Sequence, residues 1–557
     1  MDRIKIPIGR SGFADIRRNG YYYIDKSGLI RELLRTDGRQ VTLLTRPRRF
    51  GKTLGMSMLA EFFDIRKASR ELFAGLAIAE EGQLCADWMN RYPTLFLSFK
   101  SIDGLDFSKA YEKLGAVFAD LYKEHLYLME SERLDVFSKE TFRQVVSREA
   151  SRGITENSLL DLTRMMQAHY GKPVILLVDE YDVPLAKASE NGYYREMLDA
   201  MKGIMQAVKD NDSLKFAVIT GCLRIAKESI FTGTNNFVSD TISDTRLNEY
   251  FGFTQREVDW LLRDTGLTGF REVLKEWYDG YHFGDVDVYC PWDVMNYVER
   301  LMLDVKAKPV GYWKNSSDNG IIRLFIDVAG NTVTRKIETL LSGGYVVQKV
   351  EEDLTYHELL SSEENLWGML YLTGYLTKIR EGQLESPLPE GYVALSIPNR
   401  EIKEIFETTI GKWFQESTQK WDRKALFKAV WSGDAQKVTE EMTKLLRKTI
   451  SYYDYREDFY HAFLAGIFAG AGYVVESNRE HGEGRSDIVI QDYPGDRVAI
   501  FEIKYAKSQE GLVKLCEEAI KQMDDRMYGE EFQDDYSKVI CYGISFYKKR
   551  CLVQRKS

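Results

Sequence analysis

Two carboxylates and a lysine near the end of the sequence share a strand-like pattern. Asp487 lies 15 residues before Glu502, and Lys504 follows Glu502 by two positions. Residues two apart point to the same face of a strand, and the turn residues at 493–496 predict a hairpin that brings Asp487 beside Glu502. Paired carboxylates bind Mg²⁺ or Mn²⁺ through oxygen, while an adjacent lysine can orient a water or stabilise charge on phosphorus. We therefore predict all three as catalytic and both acids as metal ligands.

A basic loop after the strand-like run at 41–45 has the second half of a phosphate-binding pattern, GxxxxGK[ST]. Arg46 occupies the position of its first glycine. Between a strand and a helix, the amides of such a loop wrap phosphates, its lysine reaches the β- and γ-phosphates, and its hydroxyl binds Mg²⁺. The pattern predicts an ATP site with Thr53 on Mg²⁺. The predicted loop contacts are Arg48, Arg49, Phe50, Gly51, Lys52 and Thr53.

Two acids end the apolar run at 174–178. Asp179 is predicted to order Mg²⁺ and Glu180 to polarise the attacking water. The alternative is a strand ending in ordinary surface acids, but two carboxylates at the mouth of a buried strand are costly without a cation or partner. Thr220 ends the next apolar run and is predicted to sense the γ-phosphate. Arg224 is either a phosphate contact or a solvated or salt-bridged arginine.

The elements that must position these residues alternate along the first 250 positions. Strand-like runs at 41–45, 94–99, 174–178 and 216–220 are separated by helical patterns at 54–65, 107–128 and 194–208, which predicts a parallel sheet covered by helices. A helical insertion is expected between the second and third runs. A helical region from 254 follows, interrupted by an aromatic loop at 277–284 that either covers the nucleotide or packs a subdomain. The final part has a helix at 455–469, strands at 473–477, 486–491 and 497–505, and a helix at 511–523.

Composition limits the classes of protein. The chain has 557 residues, 44% of them hydrophobic, and a net charge of −9, which excludes a disordered chain and a protein that coats nucleic acid by its total charge. Residues 1–60 nevertheless hold 13 Lys and Arg against five Asp and Glu. Six scattered cysteines argue against a zinc site or disulfide framework. Without a signal-type segment or an apolar run of membrane length, we expect a cytoplasmic protein that does not contact membranes.

Several motifs in order resemble those of the bacterial AAA-ATPase-like family. They are the opening at 11–27, RPRRFGKT at 46–53, LLVDEYD at 176–182, TGCLRIAKESIF at 220–231, EYFGFT at 249–254, WYDGY at 277–281 and CPW at 290–292. That family typically joins its ATPase to a carboxy-terminal PD-(D/E)xK nuclease domain. The resemblance implies an α/β protein with an amino-terminal extension and P-loop NTPase parallel sheet (1–250), a helical lid and middle region (251–449) and a smaller restriction-endonuclease-like domain (450–557).

The resemblance also implies a function. Glu457 would supply a further carboxylate to the metal, the alternative being a surface residue near a helix start. The leading hypothesis is an ATP-binding and hydrolysing protein that regulates Mg²⁺-dependent cleavage of DNA, with defence against foreign DNA as its role and homo-oligomers compatible with it. One alternative is a non-cleaving nucleotide switch whose nuclease-like domain only binds nucleic acid or a protein. Another keeps the nuclease and makes the ATPase a hub that binds ATP without turnover.

Overall fold

A computed structural model describes most of the chain, in two compact units. The described residues are 4–35, 41–224, 230–231, 237–313, 322, 331–352, 362–384, 386–419, 424–447, 460, 464–465, 467–469, 471–481, 484–526 and 530–556. Unit 1 comprises Met1–Asp318 and Tyr345–Glu404, and unit 2 comprises Asn319–Gly344 and Ile405–Ser557. The middle region therefore supplies residues to both units.

A five-stranded parallel sheet organises unit 1, in the order β2-β3-β4-β1-β5. Its strands are β1 (Val41–Thr45), β2 (Thr94–Ser98), β3 (Val174–Asp179), β4 (Leu214–Gly221) and β5 (Phe237–Asp240). Because β4 lies between β1 and β3, the residues that follow these three strands meet at one edge. The predicted α/β fold with a parallel sheet is confirmed.

Helices cover this sheet, and further helices belong to the rest of unit 1 and to unit 2. They are α1 (Phe13–Arg18), α2 (Gly28–Leu34), α3 (Lys52–Phe63), α4 (Gly82–Trp88), α5 (Phe107–Lys123), α6 (Val136–Ser147), α7 (Arg152–Tyr170), α8 (Val183–Asn191), α9 (Tyr194–Ile204), α10 (Gln255–Thr265), α11 (Arg271–Tyr278), α12 (Pro291–Leu303), α13 (Asn331–Leu341), α14 (Glu363–Leu372), α15 (Arg400–Gln419), α16 (Lys424–Ser432), α17 (Ala435–Arg447) and α18 (Gly511–Asp525). Helices α5 to α7 are the expected insertion between β2 and β3. Helix α3 begins two residues before the predicted position because Gly51 caps it in the left-handed conformation, with φ 86°.

Short strands occur in the region predicted to be mostly helical. A hairpin joins β6 (Tyr281–Phe283) to β7 (Val286–Val288). A three-stranded antiparallel sheet, in the order β8-β10-β9, contains β8 (Val346–Lys349), β9 (Thr377–Lys378) and β10 (Tyr392–Ser396). Strands of two to five residues give no clear period-two signal, and their partners are distant in the chain.

Unit 2 contains a mixed five-stranded sheet in the order β11-β12-β13-β14-β15. The strands are β11 (Val474–His481), β12 (Gly484–Asp492), β13 (Arg497–Tyr505), β14 (Lys538–Tyr547) and β15 (Arg550–Arg555). The predicted hairpin between β12 and β13 is confirmed, and α18 connects β13 to the parallel strand β14. In neither unit does a described helix have the length and apolar character needed to cross a bilayer.

Candidate active sites

The loop between β1 and α3 forms a preshaped cradle in unit 1. Lys52, at 5% exposure, donates from Nζ to the carbonyl oxygens of Arg46 (2.8 Å) and Pro47 (2.9 Å). Gly51 then turns the chain through its left-handed conformation into α3. The lysine therefore holds the start of the loop, with its charge at the amino terminus of a twelve-residue helix.

Arg46 lies beneath the loop. Its side chain is fully buried, donates from Nη1 to the carbonyl oxygens of Thr45 (2.8 Å) and Asp240 (3.0 Å), and lies 5.5 Å from the ring centres of Phe251 and Phe283. Burial lowers the pKa of Arg46 to about 10, against opposing attraction by acidic neighbours such as Asp240. Arg46 thus stabilises the start of the loop through buried hydrogen bonds and ring contacts.

Asp179 connects the loop to the acidic strand. Its Oδ2 accepts a hydrogen bond from the Thr53 hydroxyl at 2.8 Å, and its Oδ1 accepts one from the Thr220 hydroxyl at 2.6 Å. Asp179 and Thr220 are fully buried at the ends of β3 and β4. Three predicted residues from three separate elements therefore meet at one carboxylate, and Thr53 and Asp179 are adjacent as a shared Mg²⁺ site requires.

Glu180 follows Asp179 and lines the cavity together with residues of the loop. Its backbone is left-handed, with φ 54°, a conformation uncommon for a residue other than glycine. Burial, followed by repulsion from Asp179, raises the pKa of the Glu180 carboxyl, while Lys52 and Lys100 oppose the rise. A carboxyl with raised proton affinity, beside the phosphate loop, is suited to accept a proton from water.

The cavity in unit 1 has a volume of about 460 Å³ and is lined by both cationic and apolar side chains. The cations are Arg10, Lys26, Arg48, Arg49, Lys52 and Lys100. The apolar wall is formed by aromatic and aliphatic side chains, among them Tyr22, Tyr23, Ile24, Tyr250, Phe253, Trp292 and Met295. The volume is within the range of small-molecule sites. Sequence reasoning did not identify Lys100 or this apolar wall as parts of the site, because the wall is assembled from three separated segments.

The other predicted contacts have different surroundings. The Arg49 guanidinium donates from Nη1 to the carbonyl oxygen of Tyr312 (2.9 Å) and lies 5.1 Å from the ring of Trp292. Phe50 is fully buried and contacts Tyr281 and Phe283 of the aromatic loop, with ring centres 4.9 and 5.0 Å apart. These contacts support the packing alternative for that loop.

Arg224 follows β4 by three residues and is half-buried, and it is not among the described residues that line the cavity.

The second predicted constellation is assembled on β12 and β13 in unit 2. Asp487 accepts a hydrogen bond at Oδ2 from the backbone amide of Ile503, at 2.7 Å. Glu502 precedes that amide and accepts from Lys504 Nζ at 3.0 Å. The three side chains are therefore adjacent, as the antiparallel register and the alternation along β13 predict.

Burial makes Glu502 the unusual member of this group. It is 1% exposed, and its Oε2 has no hydrogen-bond partner among the described residues. Burial first, and repulsion by Asp487 second, raise the pKa of Glu502 to about 7 in the absence of metal, while Lys504 and Arg526 oppose the rise. A buried carboxylate oxygen without a donor fits a cation ligand. Groups of three or more metal-binding side chains are absent from the described residues, and Glu457 lies outside them.

Comparisons with known proteins identify two domains in the chain. Residues 7–231 match the family model described as predicted AAA-ATPase, and residues 455–556 match that of the PD-(D/E)XK nuclease superfamily. An uncharacterized protein in the vnfD 5′ region of Azotobacter chroococcum is 26% identical over 98% of this chain and 97% of its own length. Domains of these two classes generally use nucleotides and divalent metals. The chain therefore has the architecture of an AAA-ATPase-like protein with a carboxy-terminal PD-(D/E)xK nuclease superfamily domain.

Proposed function

We propose that this protein binds and hydrolyses ATP and thereby regulates a Mg²⁺-dependent phosphodiesterase that cleaves DNA. The observation that carries the proposal is the group of Asp487, Glu502 and Lys504, in which a 1% exposed carboxylate faces a second acid and a lysine. The buried carboxylate of Glu502, repelled by the half-buried Asp487, destabilises the fold unless a cation or proton offsets its charge. Such an arrangement is expected at a metal-binding site.

Each residue of the proposed nuclease site would have its own role in cleavage. Asp487 and Glu502 would hold Mg²⁺, or Mn²⁺, which when bound activates the phosphate and lowers the pKa of a bound water. Lys504 lies beside Glu502, where its ammonium can orient the attacking water and stabilise the negative charge that develops on phosphorus. Defence against foreign DNA would be a use of this reaction.

The nucleotide site would act through the cradle in unit 1. Lys52, Arg48 and the amides at the start of α3 would bind the phosphates, and Thr53 with Asp179 would hold Mg²⁺. Glu180 would accept a proton from the attacking water, and Thr220 would align Asp179. The apolar wall of the cavity is suited to a purine base, since stacking on aromatic rings needs no charge.

Regulation is supported by the contacts of Arg49. Its guanidinium holds the carbonyl oxygen of Tyr312, and the backbone amide of the next residue, Trp313, donates to Glu401 at 2.6 Å. Unit 1 ends at Asp318 and again at Glu404, so both segments lead along the chain towards unit 2. Nucleotide phosphates would compete with the carbonyl oxygen of Tyr312 for the Arg49 guanidinium. Loss of this hydrogen bond would change how the segments that contain Tyr312 and Glu401 are held in unit 1.

Cleavage tests the nuclease directly. Purified full-length protein should nick plasmid DNA with Mg²⁺ or Mn²⁺ and fail to do so with EDTA, and Lys504→Ala should lower the rate by about 100-fold or more. Lys437→Ala is the matched control, because it removes a lysine of α17 that pairs with Glu440. Cleavage by Lys504→Ala at the wild-type rate would refute the assigned site.

Nucleotide binding and coupling need separate measurements. Lys52→Ala should weaken binding of a fluorescent ATP analogue by about tenfold or more, since it removes the buried cation of the loop. Lys172→Ala, which removes an exposed lysine of unit 1, should not. Addition of ATP should change the cleavage rate of the wild type but not that of Lys52→Ala. A wild-type rate that is identical with and without ATP contradicts regulation and leaves the nuclease assignment intact.

A further inference from the structure

A stripe of lysines and aromatic rings lies along α16 in unit 2. Lys424, Phe427, Lys428 and Trp431 are spaced i, i+3, i+4 and i+7, so they occupy one face of the helix. Both lysines are exposed and Phe427 is half-buried. The hydrophobic core includes Leu426, Ala429, Val430 and Trp431 of α16, and Phe427 packs against it. Packing on the core therefore leaves the two lysines and the exposed part of Phe427 unexplained.

The stripe forms one wall of a cleft of about 490 Å³, which Tyr473 and Arg497 complete. The ring centres of Phe427 and Trp431 lie 5.4 and 5.6 Å from that of Tyr473. The Arg497 guanidinium lies 4.6 Å from the ring centre of Trp431. Aromatic rings and cations thus alternate around one opening.

The polar groups of the cleft are predominantly donors. Lys424 and Lys428 each add a positive charge, and that of Arg497 is shared with Asp492, whose Oδ2 lies 2.7 Å from Nε. Trp431 is 4% exposed, and its indole nitrogen has no hydrogen-bond partner among the described residues. In a chain of net charge −9, this local excess of donors and positive charge favours an anionic ligand.

The cleft is separate from the nuclease site. Arg497 begins β13, whereas Glu502 and Lys504 lie near its end, roughly 17 Å away at about 3.3 Å per residue. Alternation along the strand also directs Arg497 and Glu502 to opposite faces of the sheet. A ligand in the cleft is therefore not the scissile phosphate.

We propose that this cleft binds a single-stranded segment of nucleic acid outside the cleavage site. Lys424, Lys428 and Arg497 bind backbone phosphates, and Phe427 and Tyr473 offer rings on which bases stack. The combination of a cationic groove and aromatic platforms is the one that single-stranded nucleic acids use without sequence preference. The choice of nucleic acid as the polyanion rests on the proposed function, but the binding does not require cleavage.

Fluorescence anisotropy with a labelled 20-nucleotide oligo(dT), in EDTA so that cleavage is suppressed, tests this site on the full-length protein. Lys424→Ala/Lys428→Ala should weaken binding about tenfold at low salt and reduce the slope of log K against log[salt] by about 1.4, at about 0.7 per lost phosphate contact. Lys437→Ala/Lys444→Ala removes the same charge from α17, where both lysines pair with acids, and should bind like the wild type.

Phe427→Leu separates stacking from charge. Leucine retains an apolar contact with the core, so the fold is expected to persist, and binding should weaken about fivefold or more without a change in salt slope. Equal affinity and slope for wild type and Lys424→Ala/Lys428→Ala would overturn the proposal. An unchanged affinity of Phe427→Leu would also overturn it, because the cleft would then bind phosphates alone. Plasmid cleavage by the wild type tests the proposed function independently of either result.

Discussion

Two buried carboxyl groups behind the phosphate loop allow a quantitative prediction. Asp293 and Glu401 are fully buried in unit 1, and Glu401 Oε1 accepts the amide of Trp313 at 2.6 Å. The other three carboxyl oxygens have no hydrogen-bond partner among the described residues. Burial, and then repulsion by Asp293, raise the pKa of Glu401 well above neutrality. The pair therefore holds one shared proton near neutral pH, and that proton supplies the missing donor.

This proton makes the stability of unit 1 depend on pH. A raised pKa means that proton binding stabilises the fold fully below the unfolded value near 4.5, and that this contribution is lost as pH rises toward the folded value. Between pH 6 and 8 the unfolded chain has released the proton and the folded chain has not. The free energy of unfolding should fall by about 1.4 kcal/mol per pH unit, or about 3 kcal/mol across this interval.

Glu401→Gln should remove most of this dependence above pH 7, where Asp293, whose pKa burial raises to about 6, is largely ionised. The glutamine carbonyl oxygen can accept from Trp313, and its amide can donate to Asp293 without a titrating proton. Urea unfolding at pH 6, 7 and 8, followed by hydrogen exchange of peptides from β1 to β4, would measure the stability of unit 1. Glu404→Gln, on the same helix but exposed, is the control and should retain the wild-type slope. Parallel pH curves for the wild type and Glu401→Gln would refute the shared proton.

Further substitutions at Arg46, Gly280 and Asp182 test which contacts stabilise unit 1. Arg46→Met should be nearly neutral in thermal denaturation because it replaces a buried charge by an apolar chain, whereas Arg46→Gly should cost about 3–5 kcal/mol through the cavity it leaves. Gly280→Ala should destabilise unit 1 severely, since its Cβ would lie 2.0 Å from the carbonyl oxygen of Pro398; Gly266→Ala, with a similar positive φ but open space, should cost only about 1–2 kcal/mol in the same assay. Asp182→Ala should cost about 2–3 kcal/mol of thermal stability, because its Oδ2 accepts the amides of Cys222 and Leu223.

The sequence was informative where chemistry is local. The loop that contains Gly51 follows β1, and Asp179 ends β3. The parallel sheet that brings these two segments together could be predicted from strand-like apolar runs that alternate with helical patterns. The same holds for Asp487 and Glu502, because a tight turn connects their strands and sets the register. Such predictions are reliable where two strands are close in the chain and only one register keeps their apolar residues on the buried face.

Interactions between distant segments could not be predicted in this way. Asp293 and Glu401 are 108 residues apart, and neither has a spacing that indicates a partner. The buried environment of Arg46 depends on Phe251 and Phe283, which are distant along the chain. In contrast, β14 and β15 have apolar runs that signal strands, and a helix between β13 and β14 is the usual parallel crossover. The strands predicted from the sequence end at 505, so β14 and β15 were not predicted although their apolar runs indicate strands.

The net charge of the chain says less about nucleic-acid binding than the positions of its charged residues do. A net charge of −9 would disfavour binding of nucleic acid if all charges of the chain acted on it together. At physiological salt, however, exposed charges interact strongly only over about 8 Å. Cations are concentrated at two places: Arg48, Arg49 and Lys52 lie in and beside the loop after β1, and Lys424, Lys428 and Arg497 line the cleft of unit 2. The remaining acidic surface would repel a polyanion elsewhere. Local cations on an acidic chain thus favour binding at defined positions over general adhesion, and they make that binding steeply dependent on salt.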